Sequence, residues 1–180
     1  MILKTNRLEL IAGTVELAAA ELEDRERLAS LLSASVPEDW PPPLNDANSM
    51  NWFKAYMESN PNADGWVTWY FILPNAEGGR RIAIGNGGFK GKPSANGTVE
   101  VGYSIMEDYQ RNGYATEAVG ALINWAFSHQ EVTRVIAETY PVLKPSMRVM
   151  EKNGLVYAGD GSEPGVIRYE LRREQRGTAV

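Results

Sequence analysis

The chain has 180 residues, of which 43% are hydrophobic and 23% charged, a composition typical of one globular domain, here residues 1–180, with a sizeable core. Its net charge of −5 excludes a general attraction to nucleic acid or anionic lipid, and the lack of Cys excludes disulfides, thiolate metal sites and a cysteine nucleophile. A single His disfavours metal chemistry. The sequence has no apolar run long enough to span a membrane, and its N-terminus lacks the basic segment and apolar run of a signal peptide. We therefore expect a cytoplasmic protein.

The first third of the chain predicts one strand followed by helices. Residues 3–11 alternate apolar and polar side chains, which is typical of a half-buried strand. Two helical segments follow, the second over residues 25–34. The WPPP sequence at residues 40–43 predicts a stiff loop, because proline lacks an N–H donor and restricts the residue before it. Asp46 or Asn48 then opens another helix.

The middle third predicts three strands in an antiparallel meander. Residues 66–73 are rich in aromatic and β-branched side chains at every position, which favours a strand covered on both faces. Residues 80–89 return as a strand whose glycines indicate a bulge or a close backbone approach. Residues 98–106 alternate apolar and polar side chains and form the next strand.

The last third predicts a long amphipathic helix over residues 115–127, a strand over residues 133–139 and a second helix closed by Gly154. Two short strands, residues 155–158 and 166–171, end the pattern. The order of elements predicts an α/β (α+β) fold in which helices flank a mixed sheet of about seven strands.

The segment before the long helix, residues 110–118 (QRNGYATEA), carries the strongest chemical information. The first N–H groups of a helix have no partner within it, and the helix dipole adds positive charge, so a phosphate is stabilised there. Gly113 and Ala115 leave room for it, and Arg111 supplies a charged donor. A plain capped helix is the alternative. A single glycine without a following Lys-Ser or Lys-Thr pair excludes a P-loop and disfavours a dinucleotide fingerprint.

Three segments together resemble the GNAT acetyltransferase superfamily, and within it the RimJ/RimL-like, ribosomal-protein type: residues 99–105 (VEVGYSI), 110–118 and 146–154 (SMRVMEKNG). Residues 5–10 (TNRLEL) are similar to the opening strand of that branch. The resemblance implies the acyl-CoA N-acyltransferase fold, with a mostly antiparallel sheet splayed between the fourth and fifth predicted strands. It also implies an acetyl-CoA-dependent enzyme that acetylates a primary amine, of a protein N-terminus or a small molecule, by direct attack in a ternary complex.

The resemblance also assigns the contacts of the cofactor. The family holds the pyrophosphate of acetyl-CoA in the glycine turn and pairs the pantetheine arm with the preceding strand. The expected cofactor-binding residues are Ser104, Ile105, Met106, Gln110, Arg111, Asn112, Gly113, Tyr114, Ala115, Thr116 and Ser146. Leu143 departs from the family, which has an asparagine that contacts the cofactor arm at this position. Because a neutral hydrogen bond contributes about 0.5–1.5 kcal/mol, we expect weaker cofactor binding rather than its loss.

Acetyl transfer needs a neutral amine, whereas amine pKa values are about 8 for an α-amino group and about 10.4 for lysine. A base or a chain of waters is therefore required. Glu100, the only carboxylate within its strand, is the first candidate, with a plain exposed glutamate as the alternative. Tyr103 has the opposite parity, so both can face one cavity only if Gly102 forms a bulge. Ser146 is the candidate proton donor to the departing thiolate, or a plain helix cap, and a backbone N–H near Ile105 is expected to stabilise the oxyanion.

The acceptor amine is expected in a pocket lined by Trp40 and Trp52, because the family places its variable acceptor wall in the first helices. Packing against the core is the alternative for Trp40 and the expected role of Trp66 and Trp69. Two other classes stay open, a catalytically idle acyl-CoA-binding module and a scaffold for protein partners. The sequence identifies neither the amine nor the oligomeric state, which we expect to be a monomer or a homodimer.

Overall fold

Eight strands form a mixed sheet with helices on both faces in the computed structural model, which describes residues 1–177. The strands are β1 (Ile2–Lys4), β2 (Glu9–Ala12), β3 (Thr68–Ala76), β4 (Arg80–Phe89), β5 (Thr98–Ile105), β6 (Arg134–Thr139), β7 (Val156–Asp160) and β8 (Ile167–Arg172). Their order across the sheet is β1-β2-β3-β4-β5-β6-β8-β7. Every neighbouring pair is antiparallel except β5 and β6, which run parallel.

Five α-helices accompany the sheet: α1 (Val15–Glu23), α2 (Arg25–Leu32), α3 (Ala47–Ser59), α4 (Tyr114–Ser128) and α5 (Lys144–Lys152). The side chains of Thr14, Asp24 and Asp46 accept hydrogen bonds from first-turn N–H groups of α1, α2 and α3, so each of these helices begins at a capping residue. Within residues 1–177, no helix is both long and apolar enough to cross a membrane.

Two layers of helices bury the two faces of the sheet. Helices α4 and α5 pack on one face, and α1 and α2 pack on the other. Strand β3 lies between both layers, since Trp69 and Phe71 belong to the first core cluster and Tyr70 to the second, all without measurable exposure. The prediction of a strand covered on both faces is confirmed.

The predicted first strand is two strands, which raises the number from about seven to eight. The chain turns back between β1 and β2, where the Thr5 hydroxyl oxygen accepts from the Leu8 N–H at 2.9 Å. The amide of Thr5 also donates to the Leu8 carbonyl. This turn brings residues 5–7 to the start of α4.

Strands β5 and β6 separate after a short common stretch. They pair only from Thr98 to Glu100 on β5 and from Arg134 to Ile136 on β6, although both strands continue beyond these residues. The rest of β5, up to Ile105, has a partner only in β4. The predicted splay is therefore confirmed as a V-shaped gap between β5 and β6, which opens toward the start of α4.

Strand β5 has no bulge at Gly102, so the condition for Glu100 and Tyr103 to face one cavity is not met. Strand β5 pairs with β4 in an unbroken register from Val101 to Ile105, so Glu100 and Tyr103 lie on opposite faces of the sheet. The glycines of β4 explain this regularity: a Cβ on Gly85 would meet the Ser104 carbonyl at 2.4 Å. The close approach that these glycines predict therefore occurs between β4 and a regular β5. The two register shifts of the meander lie between β3 and β4.

Candidate active site

The backbone at the wide end of the gap is shaped to hold an anion. Arg111 and Gly113 have φ angles of 64° and 81°, in the left-handed region, and Gly113 directly precedes α4. The first N–H of this region with an internal acceptor is that of Glu117, which donates to the Gly113 carbonyl. Within residues 1–177, the N–H groups of residues 111–116 have no hydrogen-bond acceptor. They fit a diphosphate, because unpartnered amides at a helix N-terminus stabilise negative charge.

Strand β5 directs alternate backbone groups into the gap. The Met106 N–H donates to the Ile84 carbonyl and the Glu100 carbonyl accepts from Lys90, so residues of even number bond to β4. The N–H and carbonyl groups of Tyr103 and Ile105 therefore point toward β6. Of the three strand residues predicted to pair with the cofactor, only Ile105 presents its backbone to the gap, and the sequence analysis missed the backbone of Tyr103.

Three of the predicted loop and strand residues have hydrogen-bond partners for their side chains, and one of them, Asn112, donates to the Gln110 carbonyl at 3.0 Å. The Gln110 side-chain amide donates to the Ile105 carbonyl at 3.0 Å, which ties the loop to the end of β5. The Ser104 hydroxyl donates to the Pro43 carbonyl at 2.6 Å. Ser104 thus fixes the proline loop on the face of the sheet opposite to α4 and α5.

Tyr103 and Ser146, both predicted as catalytic, lie together. The Tyr103 hydroxyl is 3.1 Å from the Ser146 hydroxyl and donates to the Ser146 carbonyl at 3.0 Å. This contact bridges β5 and the first turn of α5. Burial raises the pKa of the Tyr103 phenol to about 12, so the phenol remains a proton donor throughout the neutral range.

Glu100 lies on the other face, where its carboxylate pairs with the Lys90 ammonium at 2.5 Å. Its side chain is 19% exposed. Gly102, the next residue of the same parity, has no atom within 4 Å of the position that a Cβ would occupy. The structure therefore separates Glu100 from Tyr103 and leaves open space beside Glu100.

The two predicted pocket tryptophans do not contact each other. Trp40 stacks on Tyr70 with a ring separation of 6.3 Å, and its indole N–H donates to Glu21. The Tyr70 hydroxyl also donates to Glu21, and burial raises the pKa of this carboxyl above its ordinary value. Trp52 lies on α3 and is 45% exposed. Trp40 thus packs on the core, and Trp52 is the more accessible ring.

The sequence analysis missed Arg7, which contacts the start of α4. Its guanidinium donates to Glu117 at 2.7 Å and to the Asn112 carbonyl at 2.9 Å. The similarity of residues 5–10 to the opening strand of the family indicated that this segment matters. No local sequence pattern, however, indicates that Arg7 contacts Glu117, which is 110 residues away.

Comparison with known proteins supports the resemblance to the GNAT acetyltransferases. Residues 14–156 match the family model described as an acetyltransferase (GNAT) domain. The chain is 28% identical over 156 residues to the uncharacterized N-acetyltransferase YjdG of Bacillus subtilis (strain 168), and the match covers 87% of this chain and 90% of YjdG.

Solved structures show the same fold. A ribosomal-protein-S5-alanine acetyltransferase from Vibrio fischeri superposes with a TM-score of 0.66 at 17% identity, covering 97% of each chain. The ribosomal L7/L12 α-N-protein acetyltransferase RimL, solved in complex with coenzyme A, gives a TM-score of 0.65 at 17% identity, covering 96% of this chain and 98% of RimL. The predicted fold class and enzyme class are confirmed, and the prediction of acetyl-CoA as cofactor is confirmed at the level of the family. The chain therefore belongs to the GNAT acetyltransferase family.

Proposed function

We propose that this protein transfers the acetyl group of acetyl-CoA to a primary amine by direct attack in a ternary complex. The observation that carries the proposal is the continuity of the gap between β5 and β6 with the unpartnered N–H groups of residues 111–116. A strand-lined gap that ends at an anion site suits a cofactor with an extended amide arm and a diphosphate.

The chain would hold the cofactor with its backbone. The N–H groups of residues 111–116 would bind the diphosphate, and the gap-facing groups of Tyr103 and Ile105 would pair with the pantetheine amides. Acetyl-CoA supplies the thioester whose acetyl carbon accepts the amine. The Ile105 and Tyr103 N–H groups point into the gap and are placed to stabilise negative charge that develops on an acyl oxygen there.

The amine would approach from the face that carries Glu100. The missing side chain at Gly102 leaves space on this face next to Glu100. The Glu100 carboxylate would accept the proton of the amine directly, or through a chain of waters. Its partner Lys90 is 60% exposed along the side chain, so the ion pair can open at small cost.

The leaving thiolate would take its proton on the opposite face. Tyr103 and Ser146 lie there within hydrogen-bonding distance of each other. A neutral phenol is the stronger acid of the two hydroxyls, and its contact with Ser146 fixes its position. The strict alternation of β5 supports a base on one face of the sheet and an acid on the other.

Two classes of acceptor amine are to be compared at the exposed face of the sheet. The Vibrio fischeri neighbour is named for a ribosomal-protein alanine and RimL for the α-amino group of L7/L12, so a protein N-terminus and a small-molecule amine are the two acceptors to compare. We propose that Trp52, and Trp40 through the loop that it anchors, form the wall of this pocket.

The test is the release of coenzyme A from acetyl-CoA over a panel of amines. The panel contains peptides beginning with Ala or Ser, polyamines, free amino acids and aminoglycosides, at pH 7 and pH 8.5. Amine-dependent release with at least one class is expected. Saturable binding of acetyl-CoA without release for any amine would contradict the proposal and indicate an idle acyl-CoA-binding module, and absence of binding would contradict the cofactor site itself.

A further inference from the structure

The turn between β1 and β2 is attached to the start of α4 by one carboxylate. Glu117 accepts the Thr5 hydroxyl at 2.6 Å and the Arg7 backbone N–H at 2.7 Å on one oxygen. Its other oxygen accepts the Arg7 Nε–H at 2.7 Å. These bonds place Arg7 beside the anion-binding turn.

The Glu117 carboxylate is ionised, and both of its oxygens accept hydrogen bonds from Thr5 or Arg7. Burial alone raises the pKa of Glu117, but the hydrogen bonds from Thr5 and Arg7 hold it below its ordinary value. The negative charge of Glu117 is therefore paired with the Nε edge of the guanidinium and is not free to repel an anion at the turn.

The remaining nitrogens of Arg7 face the turn. Nη1 donates to the Asn112 carbonyl at 2.9 Å, and the guanidinium carbon lies 4.6 Å from the centre of the Tyr114 ring. Nη2 lies 3.4 Å from the position that a Cβ would occupy on Gly113. In the part of the chain that the structure describes, Nη2 forms no hydrogen bond.

We propose that Arg7 is a residue of the diphosphate site: Nη1 fixes the turn through Asn112, and Nη2 donates to the diphosphate beside Gly113. The proposal rests on the proposed function, because the diphosphate is that of acetyl-CoA.

Arg7 differs from Arg111 in how its charge is held. The Arg111 residue is exposed, and its side chain has no hydrogen bond within residues 1–177, so it must lose rotamer freedom when it binds an anion. The Arg7 guanidinium is already immobilised by Glu117, Asn112 and Tyr114, and a preorganised donor loses little entropy on binding. A lysine could supply the charge of Arg7, but not two donors in a fixed plane.

The experiment uses three variants of the full chain: Arg7→Gln, Arg7→Lys and Thr5→Val. Thr5→Val is the matched control, because it removes a bond to Glu117 in the same turn and keeps the guanidinium. Two quantities are measured besides activity: the Kd of acetyl-CoA by calorimetry, and the Kd of inorganic pyrophosphate from the amide NMR shifts of residues 111–116. Thermal melting of each free variant reports on folding.

Arg7→Gln is expected to weaken binding of both probes by about tenfold or more, since a hydrogen bond to a charged group is lost. Arg7→Lys should recover part of the pyrophosphate affinity, and Thr5→Val should change either affinity by less than about threefold. Equal loss of affinity in Thr5→Val and Arg7→Gln, or wild-type affinity in Arg7→Gln, would overturn the proposal.

The outcome also separates this proposal from the proposed function. If the wild-type chain fails to bind acetyl-CoA but binds pyrophosphate in an Arg7-dependent manner, the anion site with Arg7 stands and the acetyl-transfer proposal fails. If the wild-type chain binds acetyl-CoA with unchanged affinity in Arg7→Gln, the acetyl-transfer proposal stands and the role of Arg7 fails.

Discussion

At the scale of single residues, the account depends on two groups on opposite faces of β5. Tyr103 points toward α5, and Glu100 points toward the face with open space. In the proposed mechanism, the side-chain alternation of one regular strand would supply a proton donor on one face of the sheet and a proton acceptor on the other. Each group can be tested by itself.

Tyr103→Phe removes the proton donor and keeps the ring. We expect kcat to fall by about a hundredfold, within the range of general-acid catalysis, while the Kd of acetyl-CoA stays within about twofold. Because the pKa of Tyr103 is raised to about 12 by burial, the phenol is protonated at both pH 7 and pH 9, and the loss should be equal at both. Tyr157→Phe, at a tyrosine that is 60% exposed, is the control. An unchanged kcat in Tyr103→Phe would remove this residue from the mechanism.

Glu100→Gln removes the proposed base. At low pH the amine is protonated and needs the base most, so the ratio of wild-type to variant turnover should be largest there and should shrink as pH rises toward 9. The measurement is the full pH profile of kcat with one amine. Glu16→Gln, in the exposed pair with Arg27, controls for the loss of a surface charge. A variant with the wild-type profile would clear Glu100 of this role.

At the scale of elements, α5 begins without a cap. Leu143 occupies the N-cap position, and no side chain there accepts a first-turn N–H. By the resemblance, Leu143 also stands where the family has an asparagine that contacts the cofactor arm. We therefore propose that Leu143 weakens both the start of α5 and the binding of the cofactor arm.

Leu143→Asn should restore both features. An asparagine cap contributes about 1 kcal/mol, which corresponds to a rise of about 2–4 °C in Tm for a chain of this size. Acetyl-CoA should bind severalfold more tightly. Val142→Asn, at an adjacent residue that is 80% exposed, is the matched control. Equal effects of the two substitutions on Tm and Kd would show that residue 143 neither caps α5 nor contacts the cofactor.

Most elements could be predicted from the sequence, and their pairing could not. The continuous apolar run in residues 66–73 indicates a strand buried on both faces, β3, and the helical spacing of apolar residues in 115–127 indicates α4. The register of β5 depends on β4, whose small residues let the two backbones approach. The sequence of β5 alone therefore could not exclude a bulge at Gly102.

In the candidate site, too, local features could be predicted from the sequence and long-range contacts could not. The segment around Gly113 is contiguous, so the local pattern predicts its unpartnered N–H groups. Arg7 joins this site through Glu117, a contact that exists only in the folded chain. The contact between Tyr103 and Ser146 likewise joins residues 43 positions apart, and the resemblance to a family, rather than periodicity, brought both into the prediction.

At the scale of the whole molecule, the gap between β5 and β6 separates two halves of the sheet that pair over three residues only. A cofactor that pairs with β5 in this gap would add contacts where β5 and β6 do not pair with each other. We propose that residues 1–180 act as one cooperative domain whose stability is linked to binding in the gap.

Acetyl-CoA should therefore stabilise the fold. At a concentration of about 100 times its Kd, linkage gives about 2.7 kcal/mol, or a rise of roughly 5–10 °C in Tm for a chain of this length. Pantetheine, which lacks the diphosphate, should give a much smaller rise at the same concentration. The measurement is thermal unfolding followed by circular dichroism. A Tm that does not move with saturating acetyl-CoA would contradict the linkage.

The central claim is that the N–H groups around Gly113 hold the diphosphate of acetyl-CoA, and calorimetric titration of Gly113→Val tests it most directly. The control is Gly165→Val, since Gly165 has nearly the same φ, 82°, and no neighbour within 4 Å. Both variants carry the same backbone strain, so their Tm values should be similar, and acetyl-CoA should bind more than about tenfold more weakly to Gly113→Val alone. Wild-type affinity in a folded Gly113→Val variant would contradict the account.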